Sequence, residues 1–409
     1  MKRSILAITG TVLIILLACG CGKSPEKKPS PADSGNKTKI ALIAADTASE
    51  NYQVFKGAVT DKAKSDKLEI VWLDAQKNAL KQEENLKTAA EQKAKVIIIE
   101  PVEAEMIKAS LKEANNKGIK VICLGSLPSD IAVDAFVSND YERAGEMLGY
   151  QLLDSINTGE KINDILILRG SKTNKTADDI LSGNLKVLNG NSKIGQIKVE
   201  IIENWDPAAA YTKVREYLAG DKKPQAILAH SPELTVGMLK AVAEEKPETP
   251  ILTFGIGTSN EAIEALKTGL HRAEVDLMPE MLAQIALQAA KDLSEDKPWS
   301  YEQQLINGSH NVPARFSPLR SITKENVDLL KERQKKLKAA QTNQQGSSGG
   351  DTAQGTSGGS ESQDNKQDEK KTVVKIKTKD GQEFNMTIKG EIVSVEMTGE
   401  EAGGGSQGQ

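Results

Sequence analysis

Residues Val96–Leu124 read VIIIEPVEAEMIKASLKEANNKGIKVICL. The first four are apolar without alternation, which is how a strand covered on both faces reads. Met106–Asn115 is amphipathic at helical spacing, and Gly118 stands where a helix stops. Lys120–Leu124 is a second apolar run. Two such runs joined by a helix cannot form a hairpin. They form a parallel pair with a crossover, so the unit is β-α-β.

The same unit recurs on both sides. Strands are predicted at Ile40–Ala44, Leu68–Leu73, Val96–Ile99, Lys120–Leu124 and Ala135–Val137, then at Ile165–Leu168, Val199–Ile202, Ala226–Ala229, Ile251–Phe254 and Ala273–Val275. Helical segments alternate with them, among them Tyr52–Lys64, Gln82–Lys93, Ala144–Asp154, Ala208–Leu218, Leu234–Glu244 and Asn260–Lys267, the last stopped by Gly269. One sheet of about ten strands would be unusually wide, so the strands divide between two sheets. The fold class is α/β, with two doubly wound parallel-sheet lobes and a small C-terminal β meander after a disordered linker.

The N-terminus reads as a secretory signal, with Lys2 and Arg3, an apolar run from Ile5 to Ala18, then Cys19. That run is shorter than the ~20 residues a spanning helix needs. Leu16-Leu17-Ala18-Cys19 resembles a bacterial lipoprotein signal, which implies lipid on the Cys19 thiol; Cys21 is the other candidate. Residues 1–18 are then signal peptide and 19–37 a flexible tether rich in Pro, Ser and Lys. The expected location is the extracytoplasmic face of the cell membrane. Beyond the signal, Cys123 lies in an apolar strand and reads as a small buried hydrophobe, so no disulfide framework is available. A net charge of −4 gives no basic excess for nucleic acid.

Towards the C-terminus a charged helix is expected over Lys324–Ala340, with helix and Gly/Ser/Gln linker filling 331–370. Residues 371–397 read as three short strands: Val373–Lys379, a turn at Asp380-Gly381, Glu383–Ile388, and Ile392–Val395. Residues 398–409 are tail.

Several stretches, in order, resemble the type I periplasmic binding proteins in the branch that binds sugars and related solutes. They are Asn51–Gly57 (NYQVFKG), Ile97–Pro101 (IIIEP), Ser138–Gly145 (SNDYERAG), Ala226–Glu233 (AILAHSPE), Gly257–Ala262 (GTSNEA) and Thr323–Val327 (TKENV). The resemblance implies a binding domain over 38–330, with an N-lobe at about 38–138 and 277–300 and a C-lobe at about 139–276 and 301–325. It also implies three crossovers, near Asn139, Gly255 and Asp276, and closure of the lobes on a solute. Sugar-binding relatives usually carry charged grips where this chain has Gly125-Ser126, Asp178 and Ile180, Ser231-Pro232, and Gly255-Ile256. Trp205, in Asn204–Pro207 (NWDP), matches a position where the family stacks a ring on the solute, and Tyr52 lies near another.

Ligands of doubly wound sheets bind at the carboxyl ends of strands. The candidate contacts there are Asp46, Asn51, Tyr52, Gln53, Glu100, Ser126, Asn139, Arg169, Trp205, His230, Ser231 and Asp276. Trp205 and Tyr52 would stack on a solute or simply pack under a loop. Arg169 would grip an anion or form an ion pair, and His230 would donate to a ligand oxygen or sit at the core edge. Asp140 reads as a helix cap.

Catalysis is not expected: there is no Gly-x-Ser-x-Gly elbow, no His-Glu-x-x-His, and none of the three histidines stands at metal-ligand spacing. No cofactor and no metal are called for. The leading reading is a lipid-anchored solute-binding protein that delivers a small polar, sugar-like molecule to an ABC permease. The alternatives are a ligand sensor reporting to a membrane partner, and a degenerate binding fold docking an envelope protein through its C-terminal strands.

Overall fold

The computed structural model describes residues 37–221, 223–337, 371–377 and 383–389. The signal peptide, Cys19, nearly all of the tether, the linker, the Asp380-Gly381 turn, the third C-terminal strand and the tail lie outside them.

The first lobe contains β1 (Lys39–Ala44), α1 (Glu50–Ser65), β2 (Glu69–Asp74), α2 (Ala79–Glu91), β3 (Val96–Ile99), α3 (Lys108–Asn116), β4 (Lys120–Leu124) and β5 (Ala135–Asn139). The second contains α4 (Tyr141–Asp154), β6 (Ile162–Arg169), α5 (Lys175–Leu188), β7 (Ile194–Ile201), α6 (Pro207–Ala219), β8 (Ala226–Ala229), α7 (Pro232–Glu245), β9 (Leu252–Ile256), α8 (Asn260–Thr268) and β10 (Ala273–Asp276). The chain then returns through α9 (Pro279–Ser294), β11 (Gln303–Asn307) and β12 (His310–Ser317), and crosses again to β13 (Arg320–Thr323).

The strand orders are β11-β12-β5-β4-β3-β1-β2 and β13-β10-β9-β8-β6-β7. The βα repeats pair in parallel, and the antiparallel pairs are β11 with β12 and β10 with β13. Both lobes therefore share one winding plan, with the first strand of each set second from its outer edge.

The apolar strands explain the layering. In β1, Ile40 and Leu42 join Phe55 and Val59 of α1 and Ala286 and Ala290 of α9 on one face. Ala41 and Ile43 join Leu86 of α2 and Leu111 of α3 on the other. The second sheet is covered likewise, by α4 and α5 on one face and α6 and α7 on the other. Burying each large aliphatic side chain contributes roughly 1.5–3 kcal/mol. Cys123 is fully buried, as the apolar run predicts, and burial pushes its thiol up to about 12.

Three expectations change. The chain does not cross near Gly255: β9, α8 and β10 all stay in the second lobe, where Gly255 lies against Thr235 and Glu274. The crossings are at 139–140, 277–278 and 318–319. Residues 303–317 belong to the first sheet, because β12 pairs in parallel with β5 (Ala314 beside Phe136). The segment from Lys324 is not a continuous helix. Asn326 accepts from the Thr323 amide at 2.7 Å and donates to the Ser321 carbonyl at 2.9 Å, which forms a turn. A 3-10 turn at Val327–Leu330 follows, and helix only over 331–337.

Residues from Gly349 form a separate compact unit. Its described part is an antiparallel pair, β14 (Lys371–Lys377) and β15 (Glu383–Lys389), with Val374 opposite Met386 and Ile376 opposite Phe384.

Candidate functional site

In a doubly wound sheet the crevice opens where winding reverses, since the helices leaving there go to opposite faces. Those points lie between β1 and β3 in the first sheet and between β6 and β8 in the second. The residues at those strand ends are Ala45, Asp46 and Glu100 on one side, and Arg169, Gly170 and His230 on the other.

The two lobes touch across this region. Glu50, at the start of α1, accepts from the Asn260 backbone amide at 2.8 Å and from its Nδ2 at 2.9 Å, at the start of α8. Beside it, Asn51 Nδ2 lies 3.1 Å from where a side-chain carbon on Gly257 would sit. Gly257, with φ of 110°, thus allows both the backbone conformation and the approach.

Glu100 is the central group. It is solvent-accessible at the end of β3, and it accepts from the Ala45 amide at 3.4 Å. Protein atoms around the carboxyl partly desolvate it, which raises it above the usual range. The fields of Asp46 from the first lobe and Glu233 from the second add to this. The phenols of Tyr52 and Tyr141 are also raised, by burial first and then by the Glu100 charge. Three carboxylates and two phenols therefore converge from both lobes. Asp46 is partly committed, accepting from the Ala48 amide at 3.0 Å and standing 3.4 Å from Lys77 Nζ. Such a set offers many acceptors and two hydroxyl donors, and it repels anions.

The twelve residues named from sequence separate into two sets. Asp46, Glu100, Ser126 and Trp205 lie in the segments that follow strands, and Asn51 and Tyr52 in the first turn of α1, just after β1. Tyr52 is mostly buried and stacks on Phe55, 6.3 Å between centroids. Trp205 is half-buried and lies against Gly170, where any side chain would strike its ring. The other six are engaged by the protein. Gln53 Nε2 donates to the Thr47 carbonyl at 2.6 Å and fixes the β1 loop. Asn139 Nδ2 donates to the Leu277 carbonyl at 2.8 Å, tying two crossings together. Arg169 donates to the Gly170 and Ser171 carbonyls and pairs with Asp178 at 2.8 Å. Ser231 caps α7, accepting from the Leu234 amide at 3.2 Å.

His230 is buried, with Nε2 2.7 Å from Asn184 Oδ1. The Asn184 amide donates to the Gly145 carbonyl, so its oxygen faces His230 and Nε2 carries the proton. Burial, with the Arg169 charge adding to it, pushes the ring down to about 3 and keeps it neutral. Asp276 is fully buried and held by Arg320 and Arg333.

Reading by strand ends passed over Tyr141, Glu233, Glu50 and Asn260. Tyr141 opens α4 after the first crossing and Glu233 is in the first turn of α7, so both positions were legible as helix starts that follow strand ends. Nothing local marks the Glu50–Asn260 pair, whose members are far apart in sequence. Among the described residues no group of three or more His, Cys, Asp or Glu could hold a metal, and no helix is long and apolar enough to cross a membrane.

The pattern that defines the periplasmic binding protein domain matches residues 40–298. The ribose import binding protein RbsB of Bacillus subtilis is 23% identical over 303 residues, 73% of this chain and 95% of that protein. The D-xylose-binding periplasmic protein of Escherichia coli is 23% identical over 300 residues, covering 72% and 90%. The xylitol-binding protein of Mycolicibacterium smegmatis is 25% identical over 350 residues, covering 82% and 91%. Among solved structures, a carbohydrate transporter solute-binding protein from Chloroflexus aurantiacus, in complex with D-glucose, aligns with a TM-score of 0.65 at 20% identity, covering 72% of this chain and 94% of that one. A periplasmic solute-binding protein from Actinobacillus succinogenes with bound D-allose gives 0.63 at 18%, covering 72% and 100%.

Proposed function

For this chain, which belongs to the periplasmic binding protein domain family, we propose the capture of a small, uncharged, hydroxyl-bearing solute between its lobes for an ABC importer. The observation that carries this reading is the facing of two winding-reversal crevices, joined by Glu50 and Asn260 and lined by Glu100, Tyr52, Tyr141, Asp46 and Glu233. Carboxylate acceptors and phenol donors suit hydroxyl groups, which both donate and accept. The convergence of negative charge disfavours acids and phosphates.

The relatives named for ribose, D-xylose and xylitol fall in the same chemical class. With Gly125, Ser126, Asp178, Ser231 and Ile256 in place of the charged grips usual in sugar-binding relatives, ribose, glucose and galactose bind this chain weakly. The protein binds and does not transform its ligand. It stands at the extracytoplasmic face of the membrane, held by lipid at Cys19. Replacing Cys19 with Ser releases it or leaves its precursor unprocessed; lipid labelling lost only on replacing Cys21 would move the anchor there.

A thermal-shift screen of pentoses, hexoses, polyols, nucleosides and small acids tests the solute class, because a ligand of the native state raises stability by mass action. The expected hits are neutral polyhydroxylated compounds. A dicarboxylate or a phosphate ester as the strongest stabiliser would contradict the reading.

A further inference from the structure

Strands β2, β1, β3 and β4 run in parallel. Their starting ends, and the helix-to-strand loops that lead into them, therefore share one pole of the first lobe, on the side away from the crevice. Lysines collect at that pole. Lys37 precedes β1, Lys64 is in the last turn of α1, Lys67 lies between α1 and β2, and Lys93 and Lys95 lie between α2 and β3. All five are exposed, and none has an ion-pair partner among the described residues. The acids nearby are largely matched by other lysines: Asp66 by Lys62 and Lys291, Glu69 by Lys39, Asp134 by Lys120. Glu91 and Asp296 stay exposed beside them.

Local structure accounts for little of this. Lys64 suits the negative end of a helix. Lys67 and Lys93 lie past their helix caps, with φ of 56° and 58°, a left-handed conformation that favours glycine. The corresponding positions after α3, α5 and α8 are Gly118, Gly190 and Gly269, all with positive φ. Lysine at 67 and 93 thus stands against local preference, and its charge points to something outside the lobe.

The chain leads this same pole to a membrane. Lys37 opens the folded lobe, and Cys19 lies 18 residues before it. That is a reach of about 60 Å fully extended and roughly 23 Å as a flexible coil. Lys23, Lys27 and Lys28 on the way add charge of the same sign. The strand starts of the second lobe mix signs instead, with Glu160 beside Lys161 and Asp221 near Lys223. Screening acts beyond ~8 Å at physiological salt. A surface therefore meets this patch and not the chain's net charge of −4.

We propose that this pole of the first lobe docks on an anionic lipid surface, its lysines among the phosphate headgroups and the crevice on the far side of the lobe. The inference rests on the membrane location given above, and on neither the solute nor the lipid at Cys19.

Vesicle flotation tests it on the chain from Gly22, which lacks the signal and Cys19 and keeps every described residue. Vesicles of phosphatidylcholine and phosphatidylglycerol should carry the protein at low salt. Pure phosphatidylcholine should not, nor should either at about 1 M salt, where screening acts beyond ~3 Å. Lys67→Gly, Lys93→Gly and Lys95→Gln together should weaken binding at least about tenfold. The melting temperature should hold, because glycine suits the backbone at 67 and 93. Lys37→Gln with Lys95→Gln should lose at least about fivefold, and it decides the matter if the triple variant does not fold. Lys161→Gln, Lys223→Gln and Arg272→Gln, which take the same charge from the strand starts of the second lobe, should leave binding unchanged. Equal losses in the two triple variants would mean that net charge drives binding. Binding lost only on truncation after Gln341 would move the contact to the C-terminal unit. Either result overturns the proposal, as does failure of the unsubstituted chain to float with the anionic vesicles.

Discussion

His230 follows a buried strand directly, and from sequence that place is equally good for a ligand donor and for a core residue. Its surroundings decide: Nε2 is spent on Asn184, and the ring is held neutral, its ordinary value of 6.5 pushed down to about 3 by burial. The sign of the consequence follows. Below pH 6.5 the unfolded chain binds a proton that the folded chain refuses, so stability falls as pH drops from 6.5 towards 3. At pH 4.5 this costs roughly 2–3 kcal/mol, at 1.36 kcal/mol per pH unit. Urea denaturation at pH 7 and pH 4.5 should show His230→Gln losing less stability over that interval than the native chain; equal losses would mean that the ring titrates normally. Trp205→Ala is expected to weaken solute binding by roughly 1–3 kcal/mol if its ring meets the solute, and calorimetry checks this. Arg169 and Asp276 show why strand-end position alone misleads. A charged side chain there serves a ligand only if the protein leaves it unpaired, and the pairing partners, Asp178 and Arg333, lie 9 and 57 residues away.

At the scale of elements, α4 and α5 pack with their backbones almost touching. A methyl group on Gly183 would strike the Glu142 carbonyl, and one on Gly145 the Ile180 carbonyl. Gly183→Ala should therefore destabilise the protein by about 1–3 kcal/mol through overpacking. Denaturant titration measures the loss, and solute affinity should stay unchanged, since the contact is on the face of the second lobe. The parallel strands were the most legible elements, because burial on both faces leaves an unbroken apolar run: Val96–Ile99 and Ala226–Ala229 match in full. β11, β12 and β13 were passed over. β11 is a mostly exposed edge strand, QQLIN, and β12 carries Pro313 and Arg315, so neither has the apolar continuity of a central strand. Missing β12 misplaced residues 303–317, and the crossing near Gly255 came from the resemblance alone. A parallel pairing such as Ala314 beside Phe136 depends on distant sequence and leaves no local mark.

Across the whole molecule, the C-terminal unit and the lobes are distinct, with the division near Ser348. Truncation after Gln341 keeps residues 327–337 and should leave the melting temperature and solute affinity of the lobes unchanged. Truncation after Glu325 removes Val327, Leu330 and Arg333 and should lower the melting temperature by several degrees, given how much a kcal/mol shifts it in a protein of this size. Equal effects of the two truncations would contradict the division. In the proposed function a neutral solute sits between the lobes on Glu100. The most direct test is calorimetric titration of the strongest stabiliser from the thermal screen into the native protein and into Glu100→Ala. One solute per chain is expected, with at least tenfold weaker binding by the variant, about 1.4 kcal/mol. Equal affinity in the two would place the solute away from Glu100 and overturn the proposed function.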